Sequence, residues 1–181
     1  MLAGLPYDPT DPTLIAERLR AQTLCHELNS STPNEAAKRA GVLNQLFGKP
    51  VVVDINPPFF CDYGYNIDLG DNVYFNVNCV VLDVVRITIG NNTLFGPGVH
   101  IYAATHSMSR AQRRTGLEFG KPVTIEDDVW VAGGAIVCPG VVIGRRSVIG
   151  AGSVVVNDIP PDVFAAGNPC RVIRTIADLE S

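Results

Sequence analysis

The sequence predicts a mainly β protein, a parallel β-helix built from hexapeptide repeats, with a short α-helical segment before it and one extruded loop. Aliphatic residues recur every six positions through most of the chain, and glycine residues punctuate the repeats. The pattern stops for about twenty residues directly after Thr105-His106. A period of six cannot keep one face of an α-helix, and a β-sandwich would show turns every 8–12 residues. A β-helix accommodates all three observations.

The repeats supply two rows of residues that we expect to face the interior of the coil. Upstream of the interruption, Leu69, Phe75 and Val81 keep one phase, and a second phase shifted by two residues runs through Ile89, Phe95 and Ile101. The step from Ile101 to Ile125 is four sixes, so the loop is expected to return the chain in register. The rows after the loop are Ile125, Val131, Val137, Ile143, Ile149, Val155 and, two residues earlier in each repeat, Val123, Val129, Ala135, Val141, Ser147, Ser153.

The N-terminal segment predicts two helices. Asp11-Pro12 is a helix start, with Leu14, Arg18, Ala21, Cys25 and Leu28 at helical spacing beside Ile15 and Leu19. Thr32 and Glu35 predict a capping box for a second helix, which ends at Gly48. We therefore divide the chain into a helical segment 1–55 that packs on the coil, a β-helix 56–175 with loop 106–122, and a tail 176–181.

Composition is typical of one soluble domain. The chain has 181 residues, 46% of them hydrophobic, and a formal net charge of −4. The acidic balance argues against a nucleic-acid surface, and no apolar run approaches the roughly 18–20 residues that span a bilayer. We interpret five scattered cysteines in a chain without a signal peptide as reduced, buried thiols of a cytoplasmic protein. They are Cys25, Cys61, Cys79, Cys138 and Cys170.

His106 is the strongest candidate for catalysis, because an imidazole can accept a proton near neutral pH and this one stands where the chain leaves the coil. The alternative is an ordinary surface histidine at a loop root. His100 lies six residues earlier, but a zinc site needs three or four ligands, so no metal is expected. Glu118 could fix the tautomer of an imidazole or could simply be solvated.

Other polar residues allow two interpretations. Asn76 and Asp83 occupy neighbouring repeats and could contact a ligand, although asparagines such as Asn76 and Asn78 also stabilise turns. A basic set near small residues suits a phosphate-bearing cofactor, although surface arginines are common. That set is Arg145, Arg146, Arg171 and Arg174.

Five segments resemble the maltose/galactoside O-acetyltransferase family, which are hexapeptide-repeat enzymes that use acetyl-CoA. The resemblance runs from residue 1 to about residue 175 and includes an N-terminal element that hexapeptide proteins in general lack. The segments are "MLAGLPYDPTDPTL", "PPFFCDYGYNIDLGDNVYFNVNCVVLD", "THS…RRTGLEFGKPVTI", "VIGAGSVVVNDIPP" and "AAGNPCRVIR".

The resemblance implies a homotrimer of left-handed β-helices with active sites between subunits and His106 as general base. The matching acceptor positions are Asp8, Asp62 and Asn76, with Asp83 adjacent. The matching coenzyme positions are Gly133, Ala151, Val156, Asn157, Arg171 and Arg174.

Three departures from the family pattern concern affinity more than reaction type. Ser107 stands where proline is usual, "VAGGA" at 131–135 replaces an Ile-Gly-Gly-Gly pattern, and Val156-Asn157 replaces a threonine-lysine pair.

The sequence thus predicts an acetyl-CoA-dependent O-acetyltransferase acting on a sugar or glycoside. The alternatives are a metal-dependent hydratase of the γ-carbonic anhydrase kind and a non-catalytic β-helix used in assembly. A serine acetyltransferase would usually carry a larger helical domain.

Overall fold

The computed structural model describes residues 1–176 and confirms the predicted fold class, a left-handed parallel β-helix of about six turns preceded by two helices. The predicted tail lies outside the described residues from position 177 onward. The helices are α1 Pro12–Asn29, α2 Ala36–Phe47 and α3 Arg110–Arg113. The strands are β1 Val53–Ile55, β2 Phe59–Cys61, β3 Ile67–Leu69, β4 Val73–Phe75, β5 Cys79–Leu82, β6 Ile87–Ile89, β7 Leu94–Phe95, β8 His100–Tyr102, β9 Ala104–Thr105, β10 Phe119–Gly120, β11 Val123–Ile125, β12 Trp130–Val131, β13 Ile136–Val137, β14 Val142–Ile143, β15 Val148–Ile149, β16 Val154–Val155, β17 Val163–Ala166 and β18 Arg171–Thr175.

Three parallel sheets form the faces of the coil. The first face has the order β1-β4-β7-β12-β15-β17, and β18 adds to its end in antiparallel orientation. The second face is β2-β5-β8-β13-β16, and the third is β3-β6-β11-β14. The pair β9-β10 stands outside these faces. Because β1 already pairs with β4, the coil begins inside the segment that the sequence assigned to the helices.

Both predicted hexapeptide rows face the interior. The row from Ile125 to Val155 is fully buried, and upstream the rings of Phe75 and Phe95 stack with centroids 4.5 Å apart. In the second row the side chains become smaller toward the end of the coil, where the row consists of Ser147 and Ser153, which are also buried. Their hydroxyl groups donate to the backbone carbonyls of Pro160 and Gly150, at 2.8 and 2.5 Å, so these polar atoms are satisfied inside the coil.

Successive coils differ in length, and the whole difference lies at one corner. Steps from the first to the second face, and from the third to the first, are always six residues. We call the corner between the second and third faces the insertion corner. Across the insertion corner the number of residues between consecutive interior positions varies. The interior positions on its two sides are Cys61 and Leu69, Val81 and Ile89, Ile101 and Ile125, Val137 and Ile143, and Val155 and Ile159.

Extra residues at the insertion corner explain both irregularities of the sequence pattern. The shift of two residues between Val81 and Ile89 is a bulge at this corner, and the long interruption leaves and re-enters the coil there. Ile125 pairs in register with Ile89 and Ile143, so the prediction that the loop returns in register is confirmed.

The N-terminal helices pack on the coil in one continuous apolar cluster. Asp11 caps α1 as predicted, its Oδ1 accepting from the Thr13 amide at 2.8 Å. The predicted capping box is only half formed. The Glu35 carboxylate accepts from the Thr32 amide at 2.6 Å, but the Glu35 amide donates to the Thr32 carbonyl instead of the hydroxyl, and α2 begins at Ala36.

Some residues of the predicted helix faces point outward. Ile15 and Leu19 are exposed, because the buried face of α1 is carried by Ala21, Leu24, Cys25 and Leu28. In α2, Leu43 and Phe47 are buried as expected, whereas Ala36 and Ala40 are exposed. Gly48 ends α2 with a φ of 69°, a conformation that glycine adopts without steric cost.

All five cysteines carry free thiols, four of them buried and Cys138 half-buried. Within residues 1–176, no helix combines the length and the hydropathy that crossing a membrane requires.

The interior row predicts that substitutions at the two positions of strand β14 change stability by very different amounts. Ile143→Ala should lower the free energy of unfolding by about 2–5 kcal/mol, because it leaves a cavity in the stacked row. Val142→Ala, on the outward side of the same strand, should cost less than about 1 kcal/mol. Urea unfolding of both variants measures the difference, and equal losses would contradict the assignment of interior and exterior.

Candidate active site

Strand register at the root of the loop places His106 opposite Glu118. β9 pairs with β10 in antiparallel orientation, with Thr105 opposite Phe119, so the next positions outward are His106 and Glu118. The His106 Nε2 atom lies 3.9 Å from the Glu118 Oε1 atom. In this orientation Nδ1 is the ring nitrogen that remains available to accept a proton from a ligand.

The N-terminal segment holds Glu118 from the other side. The backbones of Tyr7 and Glu118 exchange two hydrogen bonds, at 2.8 and 3.0 Å, and the Tyr7 hydroxyl donates to Glu118 Oε2 at 3.1 Å. Burial and the nearby carboxylate of Glu118 raise the pKa of Tyr7, so its phenol stays a neutral donor. The Glu118 carboxylate is thereby fixed between Tyr7 and His106.

A cavity of about 320 Å³ opens beside His106 at the insertion corner. One part of the lining, the apolar wall, consists of Leu82, Val84 and Ala104. The other part, the polar wall, carries hydroxyl, guanidinium, carboxylate and imidazole groups. The polar lining is Tyr7, Arg18, Asp62, Tyr63, His106 and Glu118, with Pro9 at the rim.

Asp62 presents an unpaired carboxylate to this cavity. Burial raises its pKa to about 6, an effect that Arg18 opposes and Glu118 adds to. Within residues 1–176 no hydrogen bond engages the carboxylate, since Arg18 donates elsewhere, to the Tyr63 hydroxyl at 2.9 Å and the Pro9 carbonyl at 2.6 Å. Asp62 is therefore available to accept a hydrogen bond from a ligand.

Asp83 lies behind the cavity wall and does not line it. Its side chain is fully buried and accepts from the amides of residues 62, 63 and 64 at 3.0, 2.9 and 2.7 Å. Burial outweighs these hydrogen bonds and raises the pKa of Asp83 to about 7. In this position Asp83 fixes the turn that presents Asp62, which differs from the ligand contact expected from the sequence.

The two other acceptor candidates do not line the cavity. Asp8 is exposed and accepts from the amide and hydroxyl of Thr10, at 2.8 and 2.6 Å, which lowers its pKa. Asn76 lies at the corner between the first and second faces, where its Oδ1 atom accepts from the Val77 amide at 2.8 Å. A single chain thus brings together Asp62 and His106, but not Asp8 or Asn76.

The six coenzyme candidates occupy three parts of the surface. Gly133 and Ala151 share the corner of Asn76, and Val156 and Asn157 lie at the insertion corner of a later coil. Arg171 and Arg174 lie on the exposed β18 strand. Within residues 1–176 the six positions therefore do not form one cluster. Arg146, also considered a phosphate ligand, instead makes two hydrogen bonds with the Asp162 carboxylate at 2.6 and 2.7 Å.

The remaining histidine near the loop is engaged elsewhere. His100 points outward on the second face, where its Nδ1 atom lies 2.5 Å from the Tyr102 hydroxyl. Across the described part of the chain, the His, Cys, Asp and Glu side chains form no group of three that could hold a metal ion.

Three residues that line the cavity were not expected from the sequence as site residues, namely Tyr7, Arg18 and Tyr63. A signal existed for Arg18, which is a charged residue in an otherwise apolar helical row. Nothing in the local sequence marks Tyr7, because its role depends on a contact with Glu118, 111 positions away.

Comparison with known proteins identifies the family. Residues 1–50 match the maltose acetyltransferase hexapeptide capping motif, and residues 122–157 match the bacterial transferase hexapeptide repeats. A maltose O-acetyltransferase from Clostridium difficile superposes with a TM-score of 0.95 at 45% identity, over 98% of this chain and 95% of its own. The chain belongs to the maltose and galactoside acetyltransferase family.

Other members of this family are similar over almost the full chain. A galactoside acetyltransferase in complex with coenzyme A has a TM-score of 0.90 at 41% identity, over 97% of this chain and 88% of its own. A protein of Saccharomyces cerevisiae assigned as an acetyltransferase is 46% identical over 100% of this chain and 93% of its own length. The family prediction made from the sequence is confirmed.

The raised pKa of Asp62 predicts a pH-dependent cost to stability. Between pH about 4 and about 6 the folded state holds a proton that the unfolded state has lost, so stability falls as pH rises through this window. Asp62→Asn should raise the free energy of unfolding by about 1–3 kcal/mol at pH 7, and this gain should vanish near pH 4. Urea unfolding at both pH values measures it.

Asp54→Asn, on an exposed outward position of β1, controls for the loss of one negative charge. An equal effect of Asp62→Asn at pH 4 and pH 7 would contradict the assignment of a buried, ionised carboxylate.

Proposed function

We propose that this protein is an acetyl-CoA-dependent O-acetyltransferase that acetylates a hydroxyl group of a sugar or glycoside, with His106 as the general base. The observation that carries the proposal is the cavity at the insertion corner, which combines an imidazole at its rim with one polar and one apolar wall. A pyranose ring has an apolar face and a periphery of hydroxyl groups, so it complements both walls.

The polar wall can orient such an acceptor. The unpaired Asp62 carboxylate accepts a hydrogen bond from one sugar hydroxyl, while the Arg18 guanidinium and the Tyr63 phenol line the same wall. Leu82, Val84 and Ala104 contact the apolar face of the ring. The reacting hydroxyl is then directed toward His106.

The reaction needs one proton acceptor that later becomes a donor. His106 takes the proton of the sugar hydroxyl as its oxygen attacks the thioester carbonyl carbon of acetyl-CoA. The carbon–sulfur bond then breaks, and the imidazolium returns the proton to the leaving coenzyme A thiolate. A positioned base of this kind contributes typically about 10²–10⁴ in rate.

Glu118 supports the imidazole during this exchange. Its carboxylate is held by Tyr7 at 3.1 Å and lies 3.9 Å from His106 Nε2, so a small closure of the loop root brings it into hydrogen-bond contact. An anion in this position favours the imidazolium that forms in the transition state. The oxyanion of the intermediate requires fixed donors, which we assign to backbone amides.

Acetyl-CoA is the proposed donor, supported by the coenzyme A complex of the related galactoside acetyltransferase. We keep the six coenzyme positions proposed from the sequence, which are Gly133, Ala151, Val156, Asn157, Arg171 and Arg174.

We further propose a homotrimer whose sites lie between subunits. The His106 group and the corner that carries Asn76, Gly133 and Ala151 flank opposite edges of the second face in one chain. A neighbouring copy that packs against this face would bring the second group to the first. The outward side of the face supports such packing, since it carries the half-exposed Phe60 and several aliphatic residues, Val80, Ile136 and Val154. Asp8 and Asn76 stay proposed acceptor contacts, while Asp83 acts through Asp62.

Coenzyme A release tests the proposed reaction. Purified protein with acetyl-CoA should release free thiol only when a sugar acceptor is present, and a panel of glucosides and galactosides should give at least one acetylated product by mass spectrometry. A folded, trimeric protein that acetylates no member of the panel would contradict the proposal.

His106→Ala tests the assignment of the base. The variant should lower kcat by at least roughly 10²-fold without changing the thermal midpoint of the trimer, because the imidazole is half-exposed and supports no packing. His26→Ala, at an exposed position of α1, is the matched control and should leave kcat unchanged. A near-normal rate for His106→Ala would remove this residue from the mechanism.

A further inference from the structure

Two cysteines meet between α1 and β2, at the back of the cavity wall. Cys25 and Cys61 are 36 positions apart in sequence, yet their Sγ atoms lie 3.8 Å from each other. Both side chains are buried and both thiols are free. The proposed acetyl transfer uses neither of them.

A second cavity, of about 480 Å³, reaches this pair from the surface. Cys25 and Cys61 both line it, together with Gln22, His26, Asn29, Pro58 and Phe60. This cavity gives a molecule as small as hydrogen peroxide a route to the two cysteine residues while the protein stays folded.

We propose that Cys25 and Cys61 form a redox-active dithiol, a modification site that a hydroperoxide oxidises to a disulfide, and that the disulfide changes the acceptor cavity. Disulfide formation does not depend on the proposed function, whereas its effect on the acceptor rests on it.

The contact between the two sulfur atoms assigns their roles. The hydrogen-bond contact with the Cys61 thiol lowers the pKa of Cys25, so we assign Cys25 as the nucleophilic thiolate. The thiolate attacks one oxygen of hydrogen peroxide and the oxygen–oxygen bond breaks, which gives a sulfenic acid, while the leaving hydroxide takes up the proton that the Cys25 thiol released and becomes water. The Cys61 sulfur then loses its proton and attacks the sulfenic sulfur, which releases a second water and leaves the disulfide.

The other thiols lack such a partner. Cys79 and Cys170 are buried, Cys138 is half-buried, and within residues 1–176 none of the three contacts another sulfur atom. An intramolecular disulfide in the folded chain is therefore specific to Cys25 and Cys61.

The residues beside the pair couple closure of the disulfide to the acceptor cavity. A disulfide needs a sulfur–sulfur distance of about 2.05 Å, so the sulfur atoms have to approach by nearly 2 Å, through rotation of both side chains together with an adjustment of α1 against β2. Cys61 directly precedes Asp62, and α1 carries Arg18, which donates to the Tyr63 hydroxyl, and Arg20, which donates to the Tyr63 carbonyl at 2.9 Å. A movement of α1 against β2 thus changes the positions of Arg18, Asp62 and Tyr63.

The end of α1 cannot absorb this movement easily. The Asn29 side chain accepts from the Phe59 amide at 2.8 Å and donates to the Phe59 carbonyl at 3.0 Å, which ties the helix to β2 two residues before Cys61. The displacement is therefore directed toward the cavity, on the far side of the pair.

Peroxide treatment of the folded protein tests the modification site. After remaining thiols are alkylated, peptide mapping should find Cys25 joined to Cys61 with the loss of two hydrogens, and dithiothreitol should reverse it. Cys138→Ser should give the same cross-link, and Cys25→Ser should give none. Recovery of Cys25 and Cys61 as alkylated thiols while Cys138 is oxidised would overturn the proposal, and this result needs no variant that has to fold.

Activity measurements test the coupling. In the oxidised protein, kcat/KM for the acceptor should fall about tenfold or more while the KM for acetyl-CoA stays unchanged, and dithiothreitol should restore it. Cys25→Ser should keep its activity under peroxide. A cross-linked protein with unchanged kcat/KM would overturn the coupling, and a protein that forms the cross-link but acetylates no acceptor would instead count against the proposed function.

Discussion

The structure depends on one constraint, the register between interior side chains of successive coils, which fixes the step between interior residues at six across two of the three corners. Every turn must place its aliphatic residues in register with the turn below, because the parallel strands share backbone hydrogen bonds and the interior has no spare volume. Residues in excess of the repeat can only leave at a corner. Here they leave at a single corner, and the cavity with His106 is formed by the segments that leave, between Cys61 and Leu69, Val81 and Ile89, and Ile101 and Ile125.

The rigid coil also lets the site keep two carboxylates in surroundings that disfavour their charged form. Asp62 faces the cavity with a raised pKa, and Asp83 lies fully buried behind it, where three backbone amides compensate part of the cost. Such groups reduce stability, and proteins retain them where function requires them. The turn at residues 62–64 connects the two carboxylates, because the Asp83 side chain accepts hydrogen bonds from the amides of the same turn that presents Asp62 to the cavity.

Much of the fold could be predicted from the sequence because interior positions obey a strict period. The rows through Ile125 and Val123, the return of the loop at Ile125 and the place of His106 all followed from counting residues. The rest depends on contacts distant in sequence. Tyr7 and Arg18 belong to the cavity only because the N-terminal segment folds back on the loop root, and no local pattern reveals that. For Asp83 the sequence shows the two-residue shift of phase between Val81 and Ile89, but not that the carboxylate points inward to the amides of residues 62–64.

The proposed mechanism requires that an acceptor sugar binds in the insertion-corner cavity with its reacting hydroxyl at His106. A crystal structure with coenzyme A and a methyl glycoside that serves as substrate tests this most directly. We expect a sugar hydroxyl within hydrogen-bond distance of the His106 imidazole, a second hydroxyl on the Asp62 carboxylate, and the ring face against Leu82 and Val84. A sugar bound elsewhere, with His106 free of contact, would contradict it.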